Sequence, residues 1–323
     1  MKTSLYAIAV LAAGLVTAGT LPFWISWCRR TRHVDVPGFR KIHQDPIPLA
    51  GGLAMLTGLL APLLVSMLVL KFRWLDEATV ERLHHGFERR GGQLAALFGG
   101  AFGMTCLGWF DDRHELRAGV KFAGQLLIAA LVAASGIRIT LFVPSALFSF
   151  AITILWIVAV TNALNFLDNM NGLCAGLGVI AATTLGIKAA MLDQYLVASI
   201  AFLAAGACLG FLPFNFPRAS VFLGDAGSHL IGFLLAVLSI LPHFYSAKHP
   251  DTWAVLTPLF VLAVPLIDMV WVVALRWRLG KPFHVGDTNH VSHRLTRGGF
   301  GQTQAVLLIW AAAAAMGGVA LLL

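Results

Sequence analysis

The residues of this chain best suited to chemistry are four aspartates in polar segments between long apolar runs: Asp111, Asp112, Asp168 and Asp225. Basic and imidazole residues occupy the same or similar segments, namely Arg40, Lys41, His43, Arg113, Lys121, His290, His293 and Arg294. Carboxylates facing cations suit a divalent cation bound to a polyphosphate, because Mg²⁺ is typically held by one or two carboxylates together with phosphate oxygens. The chain has no GxxxxGK[ST] sequence, which excludes a P-loop. These residue types therefore predict phosphoryl transfer, in which a metal neutralises charge and basic side chains hold oxygens.

Most of these polar segments also have a purely structural interpretation. The triplet Asp111-Asp112-Arg113 could mark the interfacial end of a helix, and Asp225 could cap the helix that follows it. His290 and His293 could be solvated residues of a loop. Taken singly, none of these segments identifies a site.

Two acids lie in or beside apolar helix, and they have different interpretations. Asp168 lies within a few residues of apolar segments on both sides, and ionisable groups at membrane depth are functional candidates by default. Asp268 lies inside an apolar run, eight residues before Arg276 and so about 12 Å of helix from its end. We interpret Asp268 as a structural residue that ties two helices together, because it is far from the other acids.

The composition determines the kind of elements that must position these residues. Charged residues make up 12% of the 323 residues and hydrophobic residues 58%, and the mean hydropathy is +0.81. A soluble chain of this length could not bury so much apolar surface, so lipid is the expected solvent. We therefore predict an all-α polytopic integral membrane protein with a single domain, 1–323. The four cysteines are scattered singly and suit apolar packing rather than disulfides or metal sites.

Ten apolar segments are predicted to be membrane spans, since crossing the hydrocarbon core takes a run of about 20 apolar residues. They cover about residues 4–27, 49–70, 94–110, 118–136, 145–163, 173–191, 195–213, 228–242, 253–276 and 303–323. The first run ends at Cys28-Arg29-Arg30 and is longer than the apolar core of a signal peptide. We therefore interpret it as a span.

Ten spans divide the connecting segments into two sets, one on each side of the membrane. One set consists of residues 28–48, 111–117, 164–172, 214–227 and 277–302. It carries more Lys and Arg than the other set, so the positive-inside rule places it in the cytoplasm and both termini outside. All the polar segments described above belong to this set, which predicts a single cytoplasmic site.

Five of these segments together resemble the polyprenyl-phosphate N-acetylhexosamine-1-phosphate transferase family. They are VDVPGFRKIHQDPIPLAGG (34–52), GWFDDRHELRAGVKFAGQ (108–125), NALNFLDNMNGL (162–173), NFPRASVFLGDAGSH (215–229) and KPFHVGDTNHVSHRL (281–295). The resemblance extends from about Val34 to Leu295, with the motifs in family order and at family-like spacing. One such motif would be a weak signal, whereas five on one predicted membrane face are specific.

The resemblance implies the transfer of an N-acetylhexosamine-1-phosphate, with GlcNAc-1-phosphate favoured, from a UDP-sugar to polyprenyl (undecaprenyl) phosphate. UMP would be released, and Mg²⁺, or Mn²⁺ in its place, would be required. The resemblance also implies a multi-pass protein of the inner (plasma) membrane that initiates a cell-envelope polysaccharide and has no nucleic-acid partner. The last segment reads D-x-x-H-x-x-H-R-L from Asp287, which is typical of the N-acetylglucosamine branch. The sugar, the prenyl chain length, the downstream polymer and a homodimer are left open.

The family motifs imply roles for individual residues. Asp225 would be the main Mg²⁺ ligand with Asp168 beside it, and Asp111 would orient or deprotonate the lipid phosphate. Phe222 would stack on uracil, and Asn215 would hydrogen-bond the nucleoside. The other residues carried over are Asp112, Lys121, His290 and His293 as catalytic residues, and Arg40, Lys41, His43, Asn162, Asn165, Asn171 and Arg294 as substrate-binding residues. Direct attack on the β-phosphorus is the simpler route, and one through an aspartyl-phosphate stays open.

Two places depart from the commonest family pattern. Asn171 stands where D-G-x-D-G would have its second acid, since the chain reads Asp168-Asn169-Met170-Asn171-Gly172. Arg218 replaces a second proline, and Ser220 replaces a base, so Arg218 is expected to supply that base from another position. Both departures bear on substrate specificity.

Two rival functions are weighed against this one. The phospho-N-acetylmuramoyl-pentapeptide transferases of peptidoglycan synthesis belong to the same family, but that branch has a richer histidine run than HVSHRL. A membrane transporter would also carry ionisable groups at membrane depth. Transporters, however, favour midplane sites between two related halves, whereas this chain shows no internal repeat and its acids cluster at one predicted face.

Overall fold

The computed structural model describes residues 2–36, 45–72, 77–245, 248–282 and 287–323, and it confirms the predicted all-α architecture. The helices of this part are α1 Lys2–Thr31, α2 Gly51–Lys71, α3 Glu77–His114, α4 Ala118–Ala134, α5 Ala146–Phe166, α6 Leu173–Met191, α7 Tyr195–Asn215, α8 Gly224–Leu238, α9 Thr257–Val261, α10 Ala263–Arg278, α11 Val291–Arg297 and α12 Gln302–Leu322. A 3₁₀ turn, Thr252–Leu256, precedes α9. A short antiparallel hairpin of β1 Val34–Asp35 and β2 Ile47–Pro48 follows α1, with Val34 opposite Pro48.

The helices long and apolar enough to cross a membrane number seven in the part of the chain that the structure describes: α1, α2, the second half of α3, α5, α6, α7 and α12. The 3₁₀ turn with α9, and α10 after it, form a further apolar pair bent by 66°. α4 and α8 are apolar but shorter, with 17 and 15 residues. All ten predicted spans therefore coincide with apolar helix, but three of them are short or bent. The chain is a multi-pass membrane protein.

The bend between α9 and α10 follows from the proline three residues beyond it. Pro265 has no backbone N–H to donate to Val261, and its ring would clash with the carbonyl of that residue in a continuous helix. The helix therefore ends at Val261 and restarts at Ala263. The predicted span 253–276 missed this bend, although Pro265 was visible in the sequence.

α8 lies at the centre of the bundle, and every residue from Ala226 to Leu238 is buried. A helix that is apolar all round needs neighbours on every side, and α8 packs against α2, α3, α5 and α6. Glycines allow the closest of these contacts: a Cβ at Gly108 of α3 would lie 2.3 Å from the carbonyl oxygen of Asp225. The first turn of α8 is thus fixed by the backbone of its neighbour.

Candidate active site

A cavity of about 870 Å³ opens where the β-hairpin, the start of α8 and α11 meet. All five polar segments contribute to its lining. The lining includes Asp35, Ile47, Leu49, Asp112, Asp168, Asn169, Met170, Asn171, Asn215, Arg218, Phe222, Asp225, His293, Thr296 and Gln302. Segments far apart in sequence therefore share one polar cavity.

The predicted site residues divide into three groups by their position. Those that line the cavity are Asp112, Asp168, Asn171, Asn215, Phe222, Asp225 and His293. Those that do not line it but lie around it are Asp111, Lys121, Asn162, Asn165, His290 and Arg294. Arg40, Lys41 and His43 lie outside the described residues.

Asp112 holds the start of α8. Its Oδ1 accepts the backbone N–H of Asp225 at 2.8 Å, and its Oδ2 accepts that of Ala226 at 3.1 Å. The first N–H groups of a helix have no partner within the helix, and the helix dipole favours a negative charge there. Gly224 makes this approach feasible, because its φ is +71° and a Cβ at that position would lie 2.7 Å from Asp112 Oδ2. Asp112, predicted to be catalytic, therefore has both oxygens engaged in positioning Asp225.

Lys121 joins two of the acids. Its Nζ lies 2.6 Å from Asp225 Oδ2 and 2.7 Å from Asp111 Oδ2. Asn165 supports the same cluster, since its Nδ2 donates to Asp225 Oδ1 at 2.7 Å and to Ser228 Oγ at 2.9 Å. Asp225 thus has a cation on one oxygen and an amide on the other. The arrangement can hold negative charge and orient it toward the cavity.

Asp168 lacks such support. No hydrogen bond or ion pair joins its carboxylate to another described residue. Burial raises the pKa of Asp168 well above its usual value, and the negative charges of Asp225 and Asp112 raise this pKa further. A partly buried carboxylate that faces other acids without a cation of its own suits a bound cation.

These donors fit Mg²⁺ shared with a substrate rather than a metal enclosed by protein. No group of three or more His, Cys, Asp or Glu side chains converges on one point within the ranges described above. Mg²⁺ commonly takes only one or two carboxylates and completes its shell with phosphate oxygens and water. Asp225 and Asp168, both on the cavity wall, supply that number.

A second layer of amides lies behind the acids. Asn162 Nδ2 donates to Gln125 Oε1 at 2.7 Å and to the carbonyl of Val158 at 2.8 Å. Gln125 Nε2 lies 3.3 Å from Nε2 of His229, one helical turn beyond Asp225 on α8. Asn162, predicted to bind substrate, thus joins α4 to α5 behind the cavity. His229 ends the motif segment 215–229, but the sequence reasoning gave it no role, because its partner Gln125 is 104 residues away.

Asn215 fastens the cavity wall. Its Oδ1 accepts the backbone N–H of Gly172 at 2.6 Å, and its Nδ2 donates to the carbonyl of Val221 at 2.9 Å. With its amide committed to backbone, Asn215 shapes the pocket predicted for the nucleoside. Asn171 lies nearby on the wall, where its Nδ2 is 3.4 Å from the carbonyl of Pro217.

The last polar segment is anchored to α10. His290 is buried, and its Nδ1 lies 2.6 Å from Asp268 Oδ2. Asp268 Oδ1 accepts the backbone N–H of Val291 at 2.6 Å. Asp268 thus ties α10 to the start of α11, in agreement with its interpretation as a structural residue that joins two helices. His290, predicted to be a catalytic residue, does not line the cavity and is turned into this pair instead.

His293 and Arg294 follow on α11 and face different spaces. His293 lines the polar cavity. Burial lowers the pKa of His293, and the neighbouring charges of His290 and Arg297 lower this pKa further. Arg294 lies 4.9 Å over the ring of Trp271 and lines a separate groove of about 470 Å³.

This groove is almost wholly apolar. Its wall comes from α10, α11 and α12 and includes Val264, Ile267, Trp271, Leu295, Leu308 and Ile309. Ile267 is 67% exposed and Trp271 51% exposed, so the groove opens to the outside of the bundle, where lipid would lie. The polar cavity and the apolar groove are thus on two sides of α11.

Asn169 was another residue that sequence reasoning missed. Its Oδ1 accepts the hydroxyl of Ser292 at 2.6 Å, and its side chain lines the cavity. It joins the segment of Asp168 to α11. The signal in the sequence was its place directly after Asp168, but its partner is 123 residues away.

The fold and cavity define a class: a helical multi-pass membrane protein with an acidic, metal-compatible cavity beside an apolar groove. Residues 94–243 match the family described as glycosyl transferase family 4. A probable undecaprenyl-phosphate N-acetylglucosaminyl 1-phosphate transferase of Bacillus subtilis is 31% identical over 86% of this chain and 73% of its own length. A decaprenyl-phosphate N-acetylglucosaminephosphotransferase of Mycobacterium tuberculosis is 34% identical over 86% of this chain and 72% of its own. An undecaprenyl-phosphate alpha-N-acetylglucosaminyl 1-phosphate transferase of Yersinia pestis is 29% identical over 87% of this chain and 74% of its own length.

The chain belongs to glycosyl transferase family 4, and the predicted family is confirmed. The names of these relatives favour the N-acetylglucosamine branch over the muramoyl-pentapeptide branch and over a transporter.

Proposed function

We propose that this protein transfers GlcNAc-1-phosphate from UDP-GlcNAc to a polyprenyl phosphate and releases UMP. The proposal is supported chiefly by the polar cavity and the apolar groove, which lie on two sides of α11. The polar cavity suits a charged, water-soluble donor, and the apolar groove beside it suits the chain of a lipid acceptor. The named activities of the relatives agree with such a pair of substrates.

Asp225 and Asp168 would hold Mg²⁺, or Mn²⁺ in its place, and the ion would supply charge neutralisation for the diphosphate. The fit rests on their position on the cavity wall and on the lack, among the described residues, of a cation beside Asp168. Asp112 would keep Asp225 in place through the backbone of α8.

The chain's own residues would orient the two phosphates. Phe222 on the cavity wall offers an aromatic face to uracil, and Arg218 offers a cation to the donor. Asp111, held by Lys121 Nζ at 2.7 Å and by the backbone N–H of Leu116 at 2.9 Å, would direct the acceptor phosphate. That phosphate is already anionic, so orientation matters more than proton removal.

In the direct reaction a non-bridging oxygen of the lipid phosphate forms a bond to the β-phosphorus of the donor. The bond from that phosphorus to the oxygen bridging to the α-phosphorus breaks, and UMP leaves with the electron pair. Lys121 would balance the negative charge around Asp111 and Asp225 during this step. His293 and Arg294, which face the two spaces from one helix, would contact the phosphates where the spaces meet.

The protein would lie in the inner (plasma) membrane, and its cavity would face the cytoplasm. This orientation follows from the excess of Lys and Arg in the segments on that side. The product would be a lipid-linked pyrophosphoryl sugar that starts a cell-envelope polysaccharide.

The test uses purified full-length protein in lipid nanodiscs with undecaprenyl phosphate, Mg²⁺ and a panel of UDP-sugars. We expect UMP release matched by sugar on the lipid, with UDP-GlcNAc the best donor. Chelation of divalent cations should stop the reaction, and added Mg²⁺ should restore it. A folded preparation that transfers none of the sugars would overturn the proposal.

A further inference from the structure

The short helix α11 is fixed by contacts at its start rather than by its own length. Seven residues form too short a helix to be stable alone. Asp268 accepts two hydrogen bonds from this start, one from His290 Nδ1 and one from the backbone N–H of Val291, each at 2.6 Å. A carboxylate oxygen can only accept, so Nδ1 of His290 carries the proton.

These contacts are shielded from solvent. Asp268 is 5% exposed and His290 4% exposed. Phe166 of α5 covers the pair, with its ring centroid 5.9 Å from that of His290. Hydrogen bonds to a charged group in such surroundings are stronger than exposed ones, and losing one partner leaves the other buried without compensation.

The same pair sits between the two spaces described above. Asp268 belongs to α10 and lines the apolar groove, whereas His290 directly precedes α11. Three residues further on, His293 faces the polar cavity, and Arg294 faces the groove. The orientation of α11 about its axis therefore decides where both side chains point, and the Asp268–His290 contact holds that orientation together with the Asn169–Ser292 hydrogen bond.

We propose that Asp268 and His290 are positioning residues, which hold α11 against α10 and thereby place His293 in the cavity and Arg294 over the groove. The substrates assigned to these two spaces rest on the proposed function. The positioning itself rests only on the contacts of Asp268. His290 thus acts through α11 and does not itself contact a phosphate.

The first experiment measures the position of α11 without any reaction. Hydrogen–deuterium exchange of residues 287–297 is compared in nanodiscs for the wild type, Asp268→Asn, Asp268→Ala, His290→Ala and His290→Asn. We expect faster exchange in Asp268→Ala and His290→Ala, and near wild-type exchange in His290→Asn, because the Asn side chain keeps an N–H near the place of Nδ1. Asp193→Asn serves as the control, since Asp193 forms an exposed ion pair with Lys248 in another part of the chain.

The second experiment separates binding of the two substrates. The KM for undecaprenyl phosphate should rise about tenfold in Asp268→Ala and His290→Ala, as expected for the loss of one charge-assisted hydrogen bond. The KM for the UDP-sugar should change less than about threefold, because most of the cavity wall comes from other segments. His290→Asn should recover most of the lost acceptor affinity.

Three results would overturn the proposal. One is unchanged exchange in 287–297 for the two alanine variants. Another is His290→Asn being as inactive as His290→Ala while Asp268→Ala stays active, which would make His290 a catalytic residue. The third is an equal rise of both KM values in every variant. If Asp268→Ala does not fold, Asp268→Asn and the two His290 variants carry the test. If the wild type transfers no sugar, the exchange experiment still decides the positioning role, so the two proposals fail separately.

Discussion

Lys121 Nζ lies 2.6 Å from Oδ2 of Asp225, so the acid assigned to the metal already has a protein cation beside it. The same nitrogen lies 2.7 Å from Asp111 Oδ2. A divalent cation that binds Asp225 must therefore share this carboxylate with the ammonium group or displace it. Lys121 would therefore limit the affinity for a metal ion and supply positive charge at the same time.

Replacing Lys121 by Met should separate these two effects. Turnover should fall about a hundredfold, because one cation between two acids is lost. Affinity for Mn²⁺ in the absence of substrate should rise, because the competing cation is gone and the acids repel each other more strongly. Paramagnetic resonance of free Mn²⁺ measures the affinity, and Lys248→Met, at an exposed ion pair, is the control. Weaker Mn²⁺ binding in Lys121→Met would contradict this account.

Asp225→Asn should abolish turnover with little change in folding. The amide keeps the shape of the side chain and an oxygen for Asn165 Nδ2, which lies 2.7 Å from Oδ1 of the wild-type residue. It removes the charge that holds the ion, which is worth several kcal/mol and so about a thousandfold or more in rate. Product formation and Mn²⁺ binding should both be lost at an unchanged melting temperature. Retained turnover would show that another group holds the metal.

Asp112 is expected to act on stability as well as on turnover. Asp112→Ala removes both acceptors for the first N–H groups of α8 and should cost about 1–2 kcal/mol of folding free energy. Asp112→Asn keeps one acceptor and should cost less. Thermal unfolding in detergent ranks the two variants, with Asp35→Asn as a control from the same cavity wall. Equal stability of Asp112→Ala and the wild type would contradict the positioning role.

Arg218 is predicted to bind the donor. Its side chain lines the cavity and is largely exposed there, beside Phe222. Arg218→Ala should raise the KM for the UDP-sugar about tenfold with a small effect on the lipid KM, as expected for one lost contact to an anionic group. Arg218→Lys should recover part of the loss. Arg138→Ala, at an exposed position after α4 and outside the cavity lining, serves as the charge-matched control. A change confined to the KM for the lipid would instead assign Arg218 to binding of the acceptor.

The free energy of unfolding should decrease as the pH is lowered, because of His33. Both ring nitrogens of His33 are buried without a hydrogen-bond partner among the described residues, and the ring stacks on Trp109. Burial, with a smaller contribution from the charge of Arg113, lowers the pKa of His33 from 6.5 to about 4. Its folded-state pKa lies below the unfolded value, so this stability is present above pH about 6.5 and is lost as the pH falls toward about 4.

The check compares melting temperatures of the wild type and His33→Phe at pH 7 and pH 5. Phe keeps the stacking on Trp109 and has no nitrogen to leave unpaired, so the variant should be at least as stable at pH 7 and less sensitive to acid. An equal loss in both proteins would assign the acid sensitivity to other groups.

The sequence was sufficient to predict where the apolar helices lie, because apolar length is a local property, and the parity of the segments and the family motifs predicted that the polar segments converge. Asp168 and Asp225 lie on one cavity wall, as the motifs led us to expect. What escaped prediction depends on partners distant along the chain. Asp112, which caps α8, is 113 residues from Asp225 along the chain, and no local sequence pattern near either residue indicates the contact.

The last segment shows the same limit more clearly. His290 and His293 look alike in the motif, yet one is buried against Asp268 and the other lines the cavity. Their separation by three residues does not indicate which histidine lines the cavity and which is buried against Asp268. Only the orientation of α11 against α10 distinguishes them, and this orientation depends on contacts between residues distant along the chain.

The shortness of α8 bears on how far each substrate must travel. Fifteen residues of helix measure roughly 22 Å, whereas a bilayer's hydrocarbon core measures about 30 Å. α8 is therefore shorter than the hydrocarbon core is thick, so we expect Asp225, in its first turn, to lie deeper than the ends of the full-length spans. Under the proposed function, the lipid phosphate would then reach this acid while its chain stays in the bilayer, and the water-soluble nucleotide would have to enter from the aqueous side.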